Sequence, residues 1–246
     1  MTTLTGKTAF ITGAAAGIGK GIAEYFAHAG AQLALIDINV EGLDETRAGI
    51  GGDVEAWAVD IRDRNQLERA VHAAVGRFGK IDILVNNAGI YPRQDFLTMS
   101  EEQWDDMQDV NLKSMFYLCQ LVLPAMVERR AGKIVNISSV TFLVGLKRVA
   151  HYIASKGGVI GLTRALAKEF GEHNIHINCI SPGAVEVEAE KKVVTADQVA
   201  AILALQSLQR RILPQDIARA ALFLSSELSD GMTGQMLNVD GGWALY

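Results

Sequence analysis

Tyr152 and Lys156 stand four residues apart in the stretch HYIASKGG. On a helix that spacing places both side chains on one face, about one turn apart. A free phenol titrates near pH 10, too high for easy proton exchange at neutral pH. A neighbouring ammonium favours the phenolate and lowers that value, which tunes the phenol as a general acid/base. Ser139 follows the apolar run Lys133 to Ile137 and is suited to hydrogen-bond the same substrate oxygen. A Tyr–Lys pair of this kind also occurs on ordinary solvated helix faces. The pair therefore gains meaning only from the elements that hold it.

The most informative of those elements is KTAFITGAAAGIGKG, Lys7 to Gly21. A short β-branched run, Thr8 to Ile11, reads as a buried strand. A turn bearing Gly13, Gly17 and Gly19 follows, and then a helical pattern with Ile22, Ala23 and Phe26 on one face. This order puts a helix N-terminus where the chain leaves a sheet, and free N–H groups with the positive helix end suit a diphosphate there. A second apolar run, Gln32 to Ile36, ends in Asp37, about 20 residues beyond the turn, where a dinucleotide fold bonds the adenosine ribose. A carboxylate there repels a 2′-phosphate. No Arg or Lys occupies Ala14 to Ala16 or Ile38 to compensate. The expected cofactor is NAD(H). Asp37 also reads, more plainly, as an acid at the start of a helix.

Strand and helix patterns then alternate to the end of the chain. Strands are expected at Val54 to Val59, Ile81 to Val85, Lys133 to Ile137, Ile175 to Ile180 and Gln235 to Val239. Helices are expected at Val40 to Ala48, Arg64 to Phe78, Glu101 to Asn111, Leu112 to Glu128, Tyr152 to Phe170 and Pro214 to Leu224. The alternation predicts an α/β fold, a doubly wound parallel Rossmann-type sheet of about seven strands with helices on both faces. Residues 186–211 interrupt the rhythm and read as a lid. No linker or repeat divides the 246 residues, so one domain is expected.

The formal charge of −5 and the lack of a long basic run make nucleic acid an unexpected partner. No run approaches the roughly 20 apolar residues of a membrane span, and no signal peptide is apparent. Two separated cysteines, Cys119 and Cys179, fit reduced thiols and a cytoplasmic location. His173 and His176 flank a helix-to-strand turn and form no zinc pattern, and no metal site is expected.

Taken together, TGAAAGIG (Thr12 to Gly19), NNAG (Asn86 to Gly89), Asn111, Ser139, YIASK (Tyr152 to Lys156), Pro182-Gly183 and the NVDGG ending resemble the short-chain dehydrogenase/reductase family over the whole chain. The resemblance implies a hydride transfer between a nicotinamide cofactor and a secondary alcohol or its ketone. It assigns Tyr152 as acid/base, Ser139 to the substrate oxygen, Lys156 to the phenol and the nicotinamide ribose, and Asn111 to a water in the proton path. It implies cofactor contacts at Gly13, Gly17, Ile18, Gly19, Asp37, Asp60, Ile61, Asn87, Ala88, Gly89, Tyr152, Lys156, Pro182, Gly183 and Val185. Ser138 matches no catalytic role. Val187 stands where the family often has a cofactor-binding threonine. A thioester reductase of fatty-acid synthesis is the nearest enzymatic alternative, and a non-catalytic NAD-binding sensor or scaffold is the alternative of another class. Family members pair through the helices at Asn111 to Met126 and Tyr152 to Phe170, implying a homodimer or homotetramer. Ala154, Gly157, Gly158 and Gly161 permit close helix approach.

The substrate side is expected to include residues after Gly89, Val140 to His151, and the lid. These stretches carry Arg93, Lys147, Arg148, Lys191, Lys192, Arg210 and Arg211 in an otherwise acidic chain. Such cations suit a carboxylate, sulfonate or phosphate on the substrate. They equally suit water or the acids Glu186, Glu188 and Glu190, and Phe142, Leu143, Val144 and Leu146 leave room for a hydrophobic alcohol.

Overall fold

The computed structural model describes residues 3–188 and 195–245. Seven parallel strands form one sheet in the order β3-β2-β1-β4-β5-β6-β7. They are β1 Thr8–Thr12, β2 Gln32–Asp37, β3 Val54–Ala58, β4 Ile83–Asn86, β5 Gly132–Ile137, β6 Ile175–Pro182 and β7 Met236–Val239. The helices are α1 Gly17–His28, α2 Val40–Gly49, α3 Arg64–Phe78, α4 Glu101–Gln108, α5 Ser114–Arg129, α6 Thr141–Val144, α7 Ala150–Phe170, α8 Ala196–Ala204 and α9 Pro214–Ser225.

Strand β1 is buried throughout, because both faces of the sheet are covered. Its alternation divides two cores. Ala9 and Ile11 pack with Leu33, Leu35, Ile22 and Phe26 beneath α1 and α9. Phe10 packs on the opposite face with Ala34, Ile36, Leu67 and Leu118 beneath α3 and α5. Side chains of period two on a sheet covered twice give this doubly wound arrangement. Truncating a side chain such as Ile11 costs about 2–5 kcal/mol in such a core.

Two expectations are corrected. Strand β4 starts at Ile83, since the Asp82 carboxylate accepts the Thr8 N–H at 2.9 Å and ties the preceding turn to β1. The helices expected at Glu101 to Asn111 and Leu112 to Glu128 are one continuous helical run, Glu101–Arg129, joined by a π turn at Asp109–Lys113. That run is long and apolar enough by composition to cross a membrane, contrary to the sequence expectation. Half of its apolar window is buried within the fold, where Leu118, Val122 and Met126 join the core.

Strand order reverses between β1 and its neighbours β2 and β4, and the crevice at their carboxyl ends is the place where such sheets bind ligands. Of the expected lid, residues 189–194, with Lys191 and Lys192, lie outside the described residues. The remainder is anchored at its later end. Gln206 donates to the Asp240 carbonyl at 3.0 Å, and Leu208 N–H donates to the Gly241 carbonyl at 2.9 Å.

Candidate active site

Strand β5 ends at Ile137 and delivers Ser138 and Ser139 to the crevice, while the first two turns of α7 present Tyr152 and Lys156. Ser138 is structural, as expected: its hydroxyl donates to the Lys156 carbonyl at 2.9 Å and stitches α7 to the strand end. The Lys156 ammonium returns the link, donating to the Ile137 carbonyl at 2.9 Å. Lys156 is only 3% exposed, and burial pushes its pKa down to about 8. Burial also pushes Tyr152 up to about 12, with the Ser139 hydroxyl working in the opposite direction and Tyr91 reinforcing the rise.

The expectation that Lys156 lowers the Tyr152 value is not met in this geometry. The ammonium lies over the phenol ring, 5.6 Å from its centroid, and its hydrogen bond goes to a backbone carbonyl. Desolvation therefore dominates both groups.

Asn111 sits within the π turn and is fully buried. Its amide oxygen accepts the Ile90 N–H at 2.8 Å, and its amide nitrogen donates to the Ile90 carbonyl at 3.0 Å and the Ser155 hydroxyl at 3.3 Å. The side chain thus pins the loop after β4 against α7. At the centre of that loop, a Cβ on Gly89 would stand 3.1 Å from Asn111 Oδ1 and 3.5 Å from Lys156 Nζ.

The other half of the crevice is built by the glycine turn. Gly13 adopts φ +67°, and a Cβ there would lie 2.8 Å from both the Ala88 Cα and Asn87 Nδ2. A Cβ on Gly19 would overlap the Gly13 carbonyl. Backbone approaches this close admit only glycine. Thr12 holds the two turns together, its hydroxyl accepting N–H bonds from Asn87 at 3.0 Å and Ala88 at 2.9 Å. Asn87 donates back to the Thr12 and Gly13 carbonyls at 2.9 and 3.1 Å. Helix α1 starts after Ala16 with no side-chain cap, and Ala16 and Ile18 line the crevice. Its first-turn N–H groups therefore remain available to an anion.

Asp37, at the end of β2, also lines the crevice. Its carboxylate accepts from Ala15 N–H at 3.0 Å and Asn39 N–H at 2.9 Å, which fixes its orientation. Asn39 is the cap of α2, accepting from Gly42 at 3.2 Å. An adjoining pocket is lined by Ile38, Val59, Asp60, Ile61, Arg62 and Val110. There the Arg62 guanidinium holds Asp60 below the usual carboxylate range and bridges at 2.7 Å to Asp106 on α4. An uncapped helix start, an oriented carboxylate and a slot with apolar walls fit a nicotinamide dinucleotide.

Pro182, Gly183, Val185 and Val187 close the remaining side. Gly183 N–H donates to Val239 at 3.0 Å, and a Cβ on Gly183 would crowd the Asp240 Cα at 2.7 Å. Val185 bridges to Ile212, and Glu186 N–H donates to the Ile212 carbonyl at 2.8 Å. Val187 sits over the glycine turn, its methyl 3.2 Å from where a Gly17 Cβ would be. The position expected to carry a hydroxyl thus presents an apolar methyl to the crevice.

The basic residues distribute differently from the sequence expectation. Arg93, Lys147 and Arg148 are exposed, and none lines the crevice. Arg93 lies over the Tyr91 ring, 5.8 Å from its centroid, and the Arg148 carbonyl accepts Gln94 N–H at 2.8 Å, so these two flank the rim. Arg210 is engaged by Asp216 at 2.6 and 3.0 Å, and Arg211 reaches the Ala184 carbonyl at 3.5 Å. Arg210 thus meets an acid six residues further on, and Arg211 a carbonyl across the fold.

Sequence reasoning covered Tyr91 and Thr141 only as members of stretches expected on the substrate side, without singling them out, and passed over Arg62. Tyr91 lines the crevice and meets Tyr152 edge to face, with ring centroids 4.5 Å apart. No spacing signal marks it, because the contact joins the loop after β4 to α7.

Comparison with known proteins agrees with this geometry. Residues 13–244 match the family described as enoyl-(acyl carrier protein) reductase. The chain is 40% identical to a 3-oxoacyl-[acyl-carrier-protein] reductase of Thermotoga maritima over 97% of this chain and 98% of that protein. It is 39% identical to a 2-dehydro-3-deoxy-D-gluconate 5-dehydrogenase of Dickeya dadantii, over 98% of this chain and 96% of that protein. A solved structure from Sinorhizobium meliloti, assigned as a short-chain alcohol dehydrogenase, superposes with a TM-score of 0.91 at 36% identity, covering 98% and 97% of the two chains. The relatives act on CH–OH groups or their ketones, and proteins of this kind use a nicotinamide cofactor. The chain is an oxidoreductase belonging to the short-chain dehydrogenase/reductase family.

Proposed function

We propose that this protein is an NAD(H)-dependent dehydrogenase that reversibly oxidises a secondary alcohol to a ketone. The observation that carries the reading is one crevice lined at one end by Ser139, Tyr152 and Lys156 and at the other by Gly13, Ile18 and Asp37. A bound nicotinamide supplies the carbon that exchanges hydride. Ser139 holds the substrate oxygen and Tyr152 takes or gives its proton. Lys156 offers its ammonium to the nicotinamide ribose, and Asn111 keeps the Ile90 loop in register beside it. Gly17, Gly19, Asn87, Ala88, Gly89, Asp60, Ile61, Pro182, Gly183 and Val185 complete the cofactor site. The substrate is an uncharged polyol or an anionic sugar or hydroxy acid, the anion being favoured only through Arg93 and Arg148 at the rim.

The chain is taken as one catalytic domain with a lid at residues 186–211, working in the cytoplasm as a homotetramer or homodimer. Two buried free thiols, Cys119 and Cys179, support a reducing compartment. A second reading, reduction of a 3-oxoacyl thioester, is favoured by the names of relatives such as the Thermotoga maritima protein. It calls for NADPH, which the Asp37 carboxylate opposes.

The test is a panel of alcohols and ketones followed by nicotinamide absorbance. Replacing Tyr152 with Phe should lower kcat by at least about 10²-fold and leave cofactor binding nearly intact. A Tyr152→Phe protein with full turnover overturns the assignment. Turnover of acyl thioesters with NADPH, and of no free alcohol, selects the second reading.

A further inference from the structure

Ser139 is 7% exposed and stands two residues before Thr141, the first residue of the one-turn helix α6. Thr141 is equally buried, at 6%. Its backbone N–H donates to Ser139 Oγ at 3.2 Å, and its hydroxyl donates to the same oxygen at 3.0 Å. A serine hydroxyl has two acceptor lone pairs and one hydrogen. With both lone pairs taken by one residue, the remaining capacity of Ser139 is donation. Two donors on one oxygen also polarise its O–H and strengthen the bond it gives. Ser139 lines the crevice together with Tyr152, so the free hydrogen is available on the substrate side.

We propose that Thr141 is a positioning residue that locks the Ser139 hydroxyl as a hydrogen-bond donor to the substrate oxygen. The proposal rests on the dehydrogenase reading for its kinetic consequences, but not for the hydrogen bonds themselves. Without the Thr141 hydroxyl, Ser139 regains a lone pair and can accept the phenolic hydrogen of Tyr152. That arrangement retains the proton on Tyr152, and Ser139 would cease to favour the phenolate as it does here.

The experiment compares Thr141→Val, which keeps the branched shape, with Thr141→Ser, which keeps the hydroxyl. Thr141→Val should lower kcat for alcohol oxidation about 5- to 20-fold and change NADH affinity less than twofold, on the scale of one repositioned hydrogen bond. The acidic limb of its pH–rate profile should move to higher pH, which a merely structural role would not produce. Thr141→Ser should restore both within about twofold. In a Ser139→Ala background, Thr141→Val should have no further kinetic effect. Unchanged kcat and pH profile in Thr141→Val, or an equal loss in the Ser139→Ala background, overturns the proposal. A thermal-melting cycle on the same four proteins needs no turnover. Thr141→Val should lower Tm by a few degrees when Ser139 is present and by less when it is Ala. Equal losses in both backgrounds overturn the proposal even if no substrate is found. Absence of wild-type turnover with that coupling intact refutes only the dehydrogenase reading.

Discussion

The Lys156 ammonium lies 5.6 Å from the centre of the Tyr152 ring, while its hydrogen bond runs to the Ile137 carbonyl at 2.9 Å. Among the described residues no carboxylate pairs with this buried cation, and burial pushes its pKa down to about 8. In the unfolded chain the same group titrates near 10.4. Between these values the unfolded state binds more protons than the folded one, so stability rises with pH across the window from about 8 to about 10. Below pH 8 both states are protonated and the burial cost is constant. Urea unfolding of wild type and Lys156→Met between pH 7 and 10 should show wild type gaining on the variant by up to about 3 kcal/mol. Parallel pH profiles for the two proteins would show that Lys156 is solvated. Tyr152, pushed up to about 12, adds an opposite slope only above about pH 10, where the unfolded phenol ionises first.

Asp37 is held by the backbone N–H groups of Ala15 and Asn39. In the proposed site, no cation among the described residues pairs with it to offset repulsion of a 2′-phosphate. NAD(H) should bind more tightly than NADP(H) by roughly 2–4 kcal/mol, the scale of a desolvated, unpaired polar group. Calorimetric titration of both cofactors measures the gap directly. Asp37→Ala should narrow it, with some loss of stability because the Ala15 and Asn39 N–H groups lose their acceptor. Equal affinities in the wild type would refute the cofactor assignment.

The sequence made the sheet, the glycine turn and the Tyr152–Lys156 face legible, because each is a local pattern: a run of β-branched residues, an obligatory glycine, a one-turn spacing. What it did not disclose is which partner each side chain meets once the elements are in place. Two helices were expected where a π turn makes one, and that turn is what aims Asn111 at Ile90. A lysine four residues from a tyrosine implied a depressed phenol, whereas the carbonyl of Ile137, on another element, captures the ammonium. Clustered Arg and Lys suggested a substrate anion, but Asp216 takes Arg210 and Tyr91 takes Arg93. Spacing predicts which face a side chain occupies and not what waits for it there.

Arg93 and Arg148 nevertheless give the substrate question a sharp test. Arg93 lies over the ring of Tyr91, which lines the crevice, and the Arg148 carbonyl accepts the Gln94 N–H in the same loop. If the substrate is an anion, Arg93→Ala and Arg148→Ala should raise its KM several-fold and leave a matched neutral alcohol almost unchanged, with the effect shrinking as salt is added. Neutral alcohols with kcat/KM equal to or above those of matched anions at low ionic strength would eliminate the anionic substrate. The exposure of both arginines sets the expected effect at the lower end of that range.

Gly161 offers a test of assembly that a single chain and an oligomer answer in opposite directions. It lies on α7 beside Leu112, Phe116, Gly158, Leu162 and Ala165, which together line an open apolar groove between α5 and α7. Phe116 is 42% exposed there, and a Cβ added to Gly161 would meet, among the described residues, no atom within 4 Å beyond its chain neighbours and its own helix backbone. In an isolated chain, Gly161→Ala should therefore stabilise, since alanine in a helix interior is favoured over glycine by about 0.5–1 kcal/mol. If two copies pair through this face, the bare glycine permits close backbone approach, and the added methyl should weaken the assembly. Gly161→Glu should go further and yield monomers, because it places a charge in an apolar contact. Light scattering and thermal melting on wild type and both variants decide the matter. Pairing through α5 and α7 predicts that Gly161→Ala lowers Tm in a concentration-dependent way and that Gly161→Glu halves the mass or more. A higher Tm for Gly161→Ala, with mass unchanged in both variants, would place any interface elsewhere on the molecule.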